Sequence, residues 1–525
     1  MIKTDISVSL GYTEGDIKSA IAERIPVKTE EIQEIKILKR ALDLKSMGDI
    51  CYKMTVGIAL DSEREAGLLK MKKKVFAVEE YSFQSPKSHL TSRPIVVGSG
   101  PAGLFAALTL AEGGARPIVL ERGLAVEERR KKVDSFRRFS VLDPECNVQF
   151  GEGGAGTYSD GKLKSGAVDK YKMKVLSEFV EAGAENEILY SANAHLGTDR
   201  LSDIVKRLRE KIISLGGEFL FSAKLTDIKI KNGAVAGVVY EKAGETVELD
   251  TDNVILASGH SAKDVFLMLQ SHSVAMEAKG FGIGVRIEHP REHINRLVYG
   301  GRAPNDIETA SYRLVTHLKN GRSVYSFCMC PGGTVVAAAS EHGGIVTNGM
   351  SEYLRDGENS NAAFLVSVTP EDFSSDSPLA GIEFQRKIES RAYSLTASYS
   401  APAITMRDFA EKNSPKGLGL VNPSYPIGVT PISPEEYLPS FVSDSLRESI
   451  KDFEEWMPGF YMQDAVLTGP ETRTTSPVRI LRDDKLESLT VRGLYPAGEG
   501  AGYSGGIVSS AVDGIRCAEA MLINK

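Results

Sequence analysis

Three glycines and one acid define the first segment that could carry chemistry. Gly98, Gly100 and Gly103 follow an apolar run at 95–97, and Glu121 ends the next apolar run. In a strand–helix–strand unit, such glycines allow a tight turn, a backbone approach to a pyrophosphate, and close packing of the helix on the sheet. An acid after the second strand suits a ribose hydroxyl. The spacing predicts a dinucleotide site formed by Gly98, Ser99, Gly100, Pro101, Ala102, Gly103, Glu121 and Arg122.

A second glycine-rich segment indicates which dinucleotide is bound. It reads GLYPAGEGAGYSGGIV from Gly493 and runs into a helical pattern of small residues. The segment resembles the second FAD signature of two-motif flavoproteins, in which a strand delivers an acid to the ribityl chain. That acid is usually Asp, whereas this chain has Glu, as in fumarate-reductase-like and aminoacetone-oxidase-like flavoproteins. The resemblance implies non-covalent FAD with contacts from Gly498, Glu499, Gly505, Gly506 and Ile507.

Further segments extend the resemblance over nearly the whole chain. The sequence QFGEGGAGTYSDGKL at 149–163 looks like the glycine-rich flavin loop of a bacterial family of FAD-dependent dehydrogenases. ILASGH at 255–260, FCMCPGG at 327–333 and GPETRT at 469–474 match the same family. This resemblance fixes the cofactor and leaves the reaction open. It adds cofactor contacts at Gly153, Gly154, Ala155, Gly156, Lys162, Leu225, Ala257, Ser258 and Gly259.

Length and composition agree with a large cytoplasmic enzyme. A chain of 525 residues with 42% hydrophobic content predicts about three folding units. The net charge of -7 argues against an electrostatic nucleic-acid binder. The start lacks an apolar signal core, and the odd number of five cysteines fits a reducing compartment. We therefore expect a cytoplasmic location and no membrane or nucleic-acid partner.

The order of the motifs predicts the domain organisation. The expected fold class is α/β, with a Rossmann-like FAD-binding domain, an inserted α+β substrate domain and a small N-terminal α+β domain. The predicted boundaries are 1–90 for the N-terminal domain, 91–279 and 473–525 for the FAD-binding domain, and 280–472 for the insertion. The GxGxG sequence at 280–284 has no preceding strand pattern, so it is not interpreted as a second dinucleotide site.

The chain shows no second strand–helix–strand fingerprint, which leaves the source of electrons open. The flavin could be reduced by the substrate, by NAD(P)H bound without a dedicated domain, or by an electron-transfer partner. The electron transfer would then take place on the flavin, while the protein supplies orientation and electrostatics. We expect the helix after Gly506 to add partial positive charge near the ring.

Two residues are candidates for catalysis. Arg473 precedes the last flavin segment, and its guanidinium could anchor the carboxylate of an anionic substrate. His260 follows the 257–259 segment, and a histidine beside the flavin could exchange protons near neutral pH. Cys328 and Cys330 form a CxC pair, which we interpret as structural thiols. No metal site is predicted, since no second Cys or His pair lies at ligand spacing.

These features favour a cytoplasmic FAD-dependent oxidoreductase that passes a hydride between an organic substrate and flavin N5. Two alternatives remain. One is a flavin-dependent tRNA-modifying or hydroxylating enzyme whose N-terminal domain holds a macromolecule. The other is a non-enzymatic flavin-bound redox sensor.

Overall fold

The chain divides into two units, and each is described by itself. The computed structural model describes residues 1–44, 50–71, 74–164, 166, 168–300 and 307–524. The first unit comprises Met1–Phe83 and Lys162–His195, and the second comprises Gln84–Gly161 and Leu196–Lys525.

The described residues form the following elements. In chain order, the strands are β1 (Ile2–Ser9), β2 (Glu34–Asp43), β3 (Cys51–Ala59), β4 (Phe76–Ala77), β5 (Ile95–Val97), β6 (Ile118–Leu120), β7 (Glu218–Leu220), β8 (Lys224–Lys231), β9 (Ala234–Lys242), β10 (Glu245–Leu249), β11 (Val254–Leu256), β12 (Met276–Ala278), β13 (Phe281–Pro290), β14 (Val315–His317), β15 (Ser323–Cys330), β16 (Thr334–Ala337), β17 (Thr347–Met350), β18 (Asn359–Val368), β19 (Ala401–Thr405), β20 (Val429–Pro431), β21 (Val466–Glu471), β22 (Val478–Ile480) and β23 (Leu494–Pro496). The α-helices are α1 (Glu14–Arg24), α2 (Ser62–Lys70), α3 (Pro101–Glu112), α4 (Val126–Phe139), α5 (Lys170–Glu181), α6 (Thr198–Ser214), α7 (Lys263–Ser271), α8 (Arg291–Tyr299), α9 (Ala380–Thr396), α10 (Met406–Ala410), α11 (Ser440–Trp456) and α12 (Ile507–Ile523). Short 3-10 turns occur at Thr29–Glu31, Ala155–Tyr158, Asn186–Leu189, Pro370–Asp372 and Pro434–Glu436.

The first unit contains a four-stranded antiparallel sheet of order β2-β3-β1-β4. Strand β1 alternates buried and exposed side chains, and its buried Ile6 and Val8 share a core with Ile17 and Ile21 of α1. The order of helices and strands from β1 to β4 is β-α-β-β-α-β, which is the ferredoxin-like arrangement. The predicted α+β fold class of the N-terminal segment is therefore confirmed.

The first unit also takes in 162–195, which the sequence prediction assigned to the FAD-binding domain. The main chain of Arg40 in β2 accepts from Ala192 N at 2.8 Å and donates to Tyr190 O at 2.8 Å. The Arg40 guanidinium also lies over the Tyr190 ring, 5.5 Å from its centroid, and pairs with Glu187. The compact unit therefore includes a segment outside the predicted 1–90 domain. The pairing that joins them is long-range and leaves no local sequence pattern.

The second unit is built on a parallel sheet of order β23-β11-β5-β6-β7. Numbered by their succession in the chain, these strands follow the order 5-4-1-2-3, which is the doubly wound order of dinucleotide-binding folds. Strands β5, β6, β11 and β23 are buried throughout, as expected for a parallel sheet covered on both faces. The predicted Rossmann-like fold is confirmed, and its switch point lies at the carboxyl end of β5.

The insertion in the second unit forms a separate seven-stranded sheet. Its order is β14-β15-β18-β13-β21-β19-β20. In the sequence these strands run from Phe281, the first residue of β13, to Glu471, the last residue of β21. Helices α9 and α11 pack against these strands. Where the chain enters and leaves the insertion, β12 pairs antiparallel with β22, and Lys279 N donates to Pro477 O at 2.8 Å. None of the described helices is both long and apolar enough to cross a membrane.

Candidate functional site

The first glycine loop joins β5 to α3, and two of its glycines are required by packing. A Cβ on Gly98, whose φ is +95°, would lie 2.3 Å from Ala257 O. A Cβ on Gly103 would lie 1.8 Å from Gly98 O. At Gly100, however, the nearest described atom to a Cβ is Gly154 Cα at 3.7 Å. The protein itself leaves room for a side chain at Gly100, so the bare backbone there fits the approach of a ligand.

The second glycine loop leads into α12 and shows the same contrast. No described atom lies within 4 Å of a Cβ built on Gly505, and at Gly506 the nearest is Ser509 Oγ at 3.7 Å. By comparison, a Cβ on Gly514 inside the helix would lie 2.0 Å from Ala102 O, because α12 crosses α3 closely. Gly505 and Gly506 therefore face open space rather than neighbouring protein.

Helices α3 and α12 begin side by side. A Cβ on Gly156 would lie 3.6 Å from Pro101 Cγ and 3.2 Å from Ile507 Cγ1, so this glycine sits between the two helix starts. A helix N-terminus carries partial positive charge and free N–H groups, which favour phosphate and an anionic reduced flavin. The two motifs that are about 400 residues apart in the sequence thus meet at one place. The exposed glycines and paired helix starts fit an FAD molecule.

The hydrogen-bond partners of Glu121 differ from the ribose hydroxyl that the sequence predicted. Its Oε2 accepts from Ser99 N at 2.9 Å and from Ser99 Oγ at 2.6 Å. Its Oε1 accepts from Gly123 N at 2.9 Å and from Gly151 N at 3.0 Å. A carboxylate offers about four acceptor positions, and all four are used. In this structure the carboxylate, which is 4% exposed, braces the two loops of the site. The ribose contact stays a prediction.

Two other residues predicted to contact the cofactor, Arg122 and Leu225, also have protein partners. Arg122 lies 4.1 Å from the centroid of the Phe150 ring and pairs with Glu145 at 2.6 Å and Asp264 at 3.0 Å. Leu225, the second residue of β8, has its side chain buried in the core. These residues build the wall of the site.

The third predicted segment is divided between the two units. Gly154 approaches Gly100, as described above, and Ala155 begins the turn that contains Gly156. Gly153, with a φ of +84°, has no room for a Cβ because Thr157 Oγ1 would lie 2.1 Å away. Lys162 belongs to the first unit, where it forms a β-bridge with His195.

The 257–260 segment packs against the C-terminal motif. A Cβ on Gly500 would lie 2.6 Å from Gly259 C, so the carboxyl ends of β11 and β23 touch. Ala257 is buried and Ser258 is half-buried. Gly259 adopts a positive φ of +78° with open space around it. Glu499 follows Gly498 at this junction, and burial raises the pKa of its carboxyl to about 7, against the opposing effect of Lys279.

Arg473 does not offer the predicted anchor. Its Nε and Nη2 donate to the two carboxylate oxygens of Glu389 at 2.9 and 2.8 Å, and its Nη1 donates to Ser340 Oγ at 2.5 Å. The two side chains are 8% and 1% exposed. Burial opposes ionisation of Glu389, but the guanidinium holds the pKa of that carboxyl below its ordinary value. The fork that was expected to bind a substrate carboxylate is bound to a protein carboxylate, so Arg473 is a positioning residue.

The charges of this ion pair act on His260, whose protonation differs from the sequence expectation. Burial, together with the positive charges of Arg473 and Lys279, lowers the pKa of His260 to about 4. Its Nδ1 is 3.2 Å from Ser261 Oγ. The imidazole is therefore neutral at pH 7. The sequence interpretation had instead expected proton exchange near neutral pH.

Beside the start of α12 lies a cleft that the sequence did not indicate, which we call the Lys279 cleft. Its volume is about 730 Å³, and it is lined by Lys279, Gly280, Phe281, Gly282, Tyr325, Phe327, Ser367, Val368, Thr474, Thr475, Gly502, Tyr503, Ser504, Gly505 and Ser509. One wall comes from the inserted sheet and the other from the loop that leads into α12. Because Gly505 lines this cleft and has open space around its Cβ position, the cleft reaches the start of α12.

Lys279 and Tyr325 are two polar side chains of the cleft that sequence reasoning missed. Lys279 Nζ donates to Thr475 Oγ1 at 3.2 Å. Tyr325 Oη lies 2.2 Å from where a Cβ on Gly282 would stand, so the glycine at this position admits the hydroxyl. The GxGxG segment after Lys279 was the available signal. Its glycines serve strand packing and this hydroxyl, which agrees with the rejection of a second dinucleotide site.

The CxC pair lies in a bulge of β15. Cys330 Sγ donates to Cys328 O at 3.3 Å, and the same carbonyl accepts from Arg286 Nη1 at 2.9 Å. Arg286 is fully buried and forms a bidentate pair with Glu471. These contacts tie the bulge to the core of the inserted sheet.

Comparison with known proteins gives two family matches. Residues 93–128 match a family described as an FAD binding domain, and residues 280–474 match one described as FAD-dependent protein, C-terminal domain-like. An uncharacterized protein of Clostridium beijerinckii is 45% identical over 522 residues, which cover 98% of this chain and 97% of that protein.

More distant likenesses are partial. The thiamine thiazole synthase of Methanococcus maripaludis is 28% identical over 204 residues, covering 36% of this chain and 62% of that enzyme. The glycerol-3-phosphate dehydrogenase of Bacillus halodurans, solved with FAD, aligns with a TM-score of 0.36 and 11% identity, over 83% of this chain and 65% of that one.

Proposed function

This chain belongs to a family of FAD-dependent oxidoreductases, and we propose that it transfers a hydride between an organic substrate in the Lys279 cleft and N5 of bound FAD. Bound FAD supplies the site that accepts or donates the electron pair. The protein binds the two molecules next to each other and controls the charges around them.

The observation that carries the proposal is the convergence of α3, α12 and the cleft. Gly156 contacts the first residue of each helix, and Gly505 lines the cleft directly before α12. A dinucleotide with its pyrophosphate at the start of α3 and its ring at the start of α12 would border the cleft. A substrate in the cleft would therefore lie beside the ring.

We assign the cofactor contacts according to the local geometry. The backbone from Gly98 to Gly103 and at Gly154 would approach the pyrophosphate, and Gly498, Glu499 and the start of α12 would hold the ribityl chain and the ring. Glu121 and Arg122 support these loops from behind, and Ala257, Ser258 and Gly259 border the same space. Arg473 positions the loop next to His260, which would face the cofactor as a neutral imidazole.

The electron donor, the partners and the cell compartment are part of the same proposal. NAD(P)H, the organic substrate itself or an electron-transfer protein could reduce the flavin. A cytoplasmic location is supported by the odd number of five cysteines. The ferredoxin-like unit has no role assigned in hydride transfer.

Anaerobic reduction of the purified FAD-loaded protein tests the proposed function. NADH, NADPH and pools of organic acids, amino acids and alcohols are added separately, and the absorbance of oxidised flavin is followed. We expect at least one donor to bleach the flavin and an acceptor to restore it over repeated turnovers. If only dithionite reduces the flavin, the oxidoreductase proposal fails. Tight retention of RNA together with that result would favour the tRNA-modifying alternative.

A further inference from the structure

We propose that the Lys279 cleft recognises a small organic acid, with the Lys279 ammonium group and the Thr475 hydroxyl binding its carboxylate and Phe327 contacting its apolar part. The inference rests on the proposed function, because it names the class of substrate that would be held beside the flavin. It also replaces Arg473, the anchor that the sequence suggested.

The environment of the Lys279 charge differs from that of several enclosed arginines in the second unit. Each of several arginines in the second unit forms an ion pair with a largely buried carboxylate, namely Arg286 with Glu471, Arg355 with Asp160, Arg473 with Glu389 and Arg482 with Asp513. Lys279 is half-buried and forms no salt bridge with any acid in the described part of the chain. Its hydrogen bond is to the neutral Thr475 hydroxyl.

A partly enclosed ammonium group without a bonded carboxylate is costly. Burial and the nearby Arg479 guanidinium lower the pKa of Lys279, while Glu499 acts in the opposite direction. Burial also raises the pKa of Glu499 to about 7, so this acid is a weak counter-charge at neutral pH. An anionic ligand in the cleft would supply the missing negative charge.

The remaining groups of the cleft suit a carboxylate. The Thr475 oxygen accepts from Lys279, which leaves its O–H to donate to a ligand oxygen. Burial raises the pKa of Tyr325, so its phenol stays protonated and can also donate. By contrast, the Thr474 hydroxyl is used by the main chain of Gly282, from which it accepts at 3.1 Å and to which it donates at 2.8 Å.

An apolar wall lies within the same cleft. Phe327 is 40% exposed although it is a large aromatic side chain, and its ring packs edge-on to that of Tyr325 at 6.4 Å. Phe281 also lines the cleft and stacks on Phe373. A cation and donors near an exposed aromatic face indicate an acid with an apolar body rather than a very small or highly polar anion.

Binding of simple probes to the FAD-loaded protein tests this inference without knowledge of the substrate. Benzoate, benzamide and acetate are titrated while the flavin spectrum and the heat of binding are recorded. We expect benzoate to bind more tightly than benzamide, which lacks the charge, and than acetate, which lacks the ring. Lys279→Met should weaken benzoate binding by about ten- to hundred-fold, as for loss of a charge-assisted hydrogen bond, and change benzamide binding little.

Matched variants separate charge from folding. Lys279→Arg keeps the charge and should retain most of the benzoate affinity, whereas Lys279→Gln, the second neutral variant, should behave like Lys279→Met. Lys485→Met removes an exposed lysine outside the cleft and should leave all three probes unaffected. The FAD content and the thermal midpoint of each variant are measured in parallel.

Three outcomes would overturn the inference. The first is a parent protein that binds no carboxylate, even if a neutral donor reduces its flavin, a result that would leave the proposed function intact. The second is an equal loss of affinity for benzoate and for benzamide in the neutral variants. The third is loss of FAD with unchanged benzoate affinity after reloading, which would assign Lys279 to the cofactor.

Discussion

Arg473 and Glu389 form a bidentate ion pair in which Nε and Nη2 donate to separate carboxylate oxygens at 2.9 and 2.8 Å. The Thr472 hydroxyl donates to the same carboxylate at 2.7 Å, so Glu389 receives three bonds from two consecutive residues. The pair therefore fixes helix α9, which carries Glu389, to the segment that follows β21. This segment leads back to the cofactor loops. Its electrostatic effect extends to His260.

Arg473→Met is expected to destabilise the protein more than it impairs ligand recognition. Removal of the guanidinium leaves Glu389 as an uncompensated buried charge, which typically costs about 3–5 kcal/mol. The thermal midpoint of the FAD-free protein should fall clearly, and Arg473→Met/Glu389→Leu should recover much of the loss. If the single variant kept its midpoint but lost benzoate binding, Arg473 would be a substrate anchor after all.

Two valine substitutions in the first glycine loop should have different effects. Gly100 has a φ of -71° and a ψ of -178°, which any residue adopts, and its Cβ position is open. Gly100→Val should fold yet weaken FAD binding by about ten- to hundred-fold, because the side chain would occupy the pyrophosphate space. Released FAD and the circular dichroism spectrum of the apoprotein measure the two effects.

Gly103→Val is the matched control for this experiment. Its Cβ would lie 1.8 Å from Gly98 O, so we expect loss of folded protein rather than selective loss of FAD. Stoichiometric FAD in Gly100→Val would contradict the proposed pyrophosphate contact. A normal yield of folded Gly103→Val would contradict the packing seen around α3.

The sequence predicted what is encoded locally and missed what depends on distant partners. The glycine spacing at 98–103 and the motif at 493–508 identified the cofactor loops because each pattern is complete within one turn and one helix. The partner of Arg473 lies 84 residues away in the chain, and no pattern around Arg473 indicates it. Likewise, Lys279 stands out because no acid of the described residues forms a salt bridge with it. That depends on the folded chain and leaves no local sequence pattern.

Glu121→Gln tests whether this acid braces the loops or binds ribose. An amide would replace one acceptor oxygen with a donor, opposite the N–H groups of either Ser99 or Gly123 and Gly151. Lost charge-assisted bonds typically cost about 1.5–3 kcal/mol each. We therefore expect a lower thermal midpoint even without FAD. A role confined to ribose would lower FAD affinity and leave the apoprotein midpoint unchanged.

His260 predicts a pH dependence of stability with a defined sign. Its pKa of about 4 in the folded protein lies below the ordinary value of 6.5, so the unfolded chain binds more protons between these two pH values. Stability should then be fully present above about pH 6.5 and fall as the pH decreases toward 4.

His260→Gln removes this contribution, so the midpoint of the variant should fall less than that of the parent as the pH is lowered from 7.5 to 5. His317→Gln is the control, because His317 is exposed. Parallel curves for the parent and His260→Gln would show that the pKa of the imidazole is the same in the folded and the unfolded chain. In that case His260 would take up a proton as readily as an ordinary histidine, and its assignment as a buried neutral imidazole would be wrong.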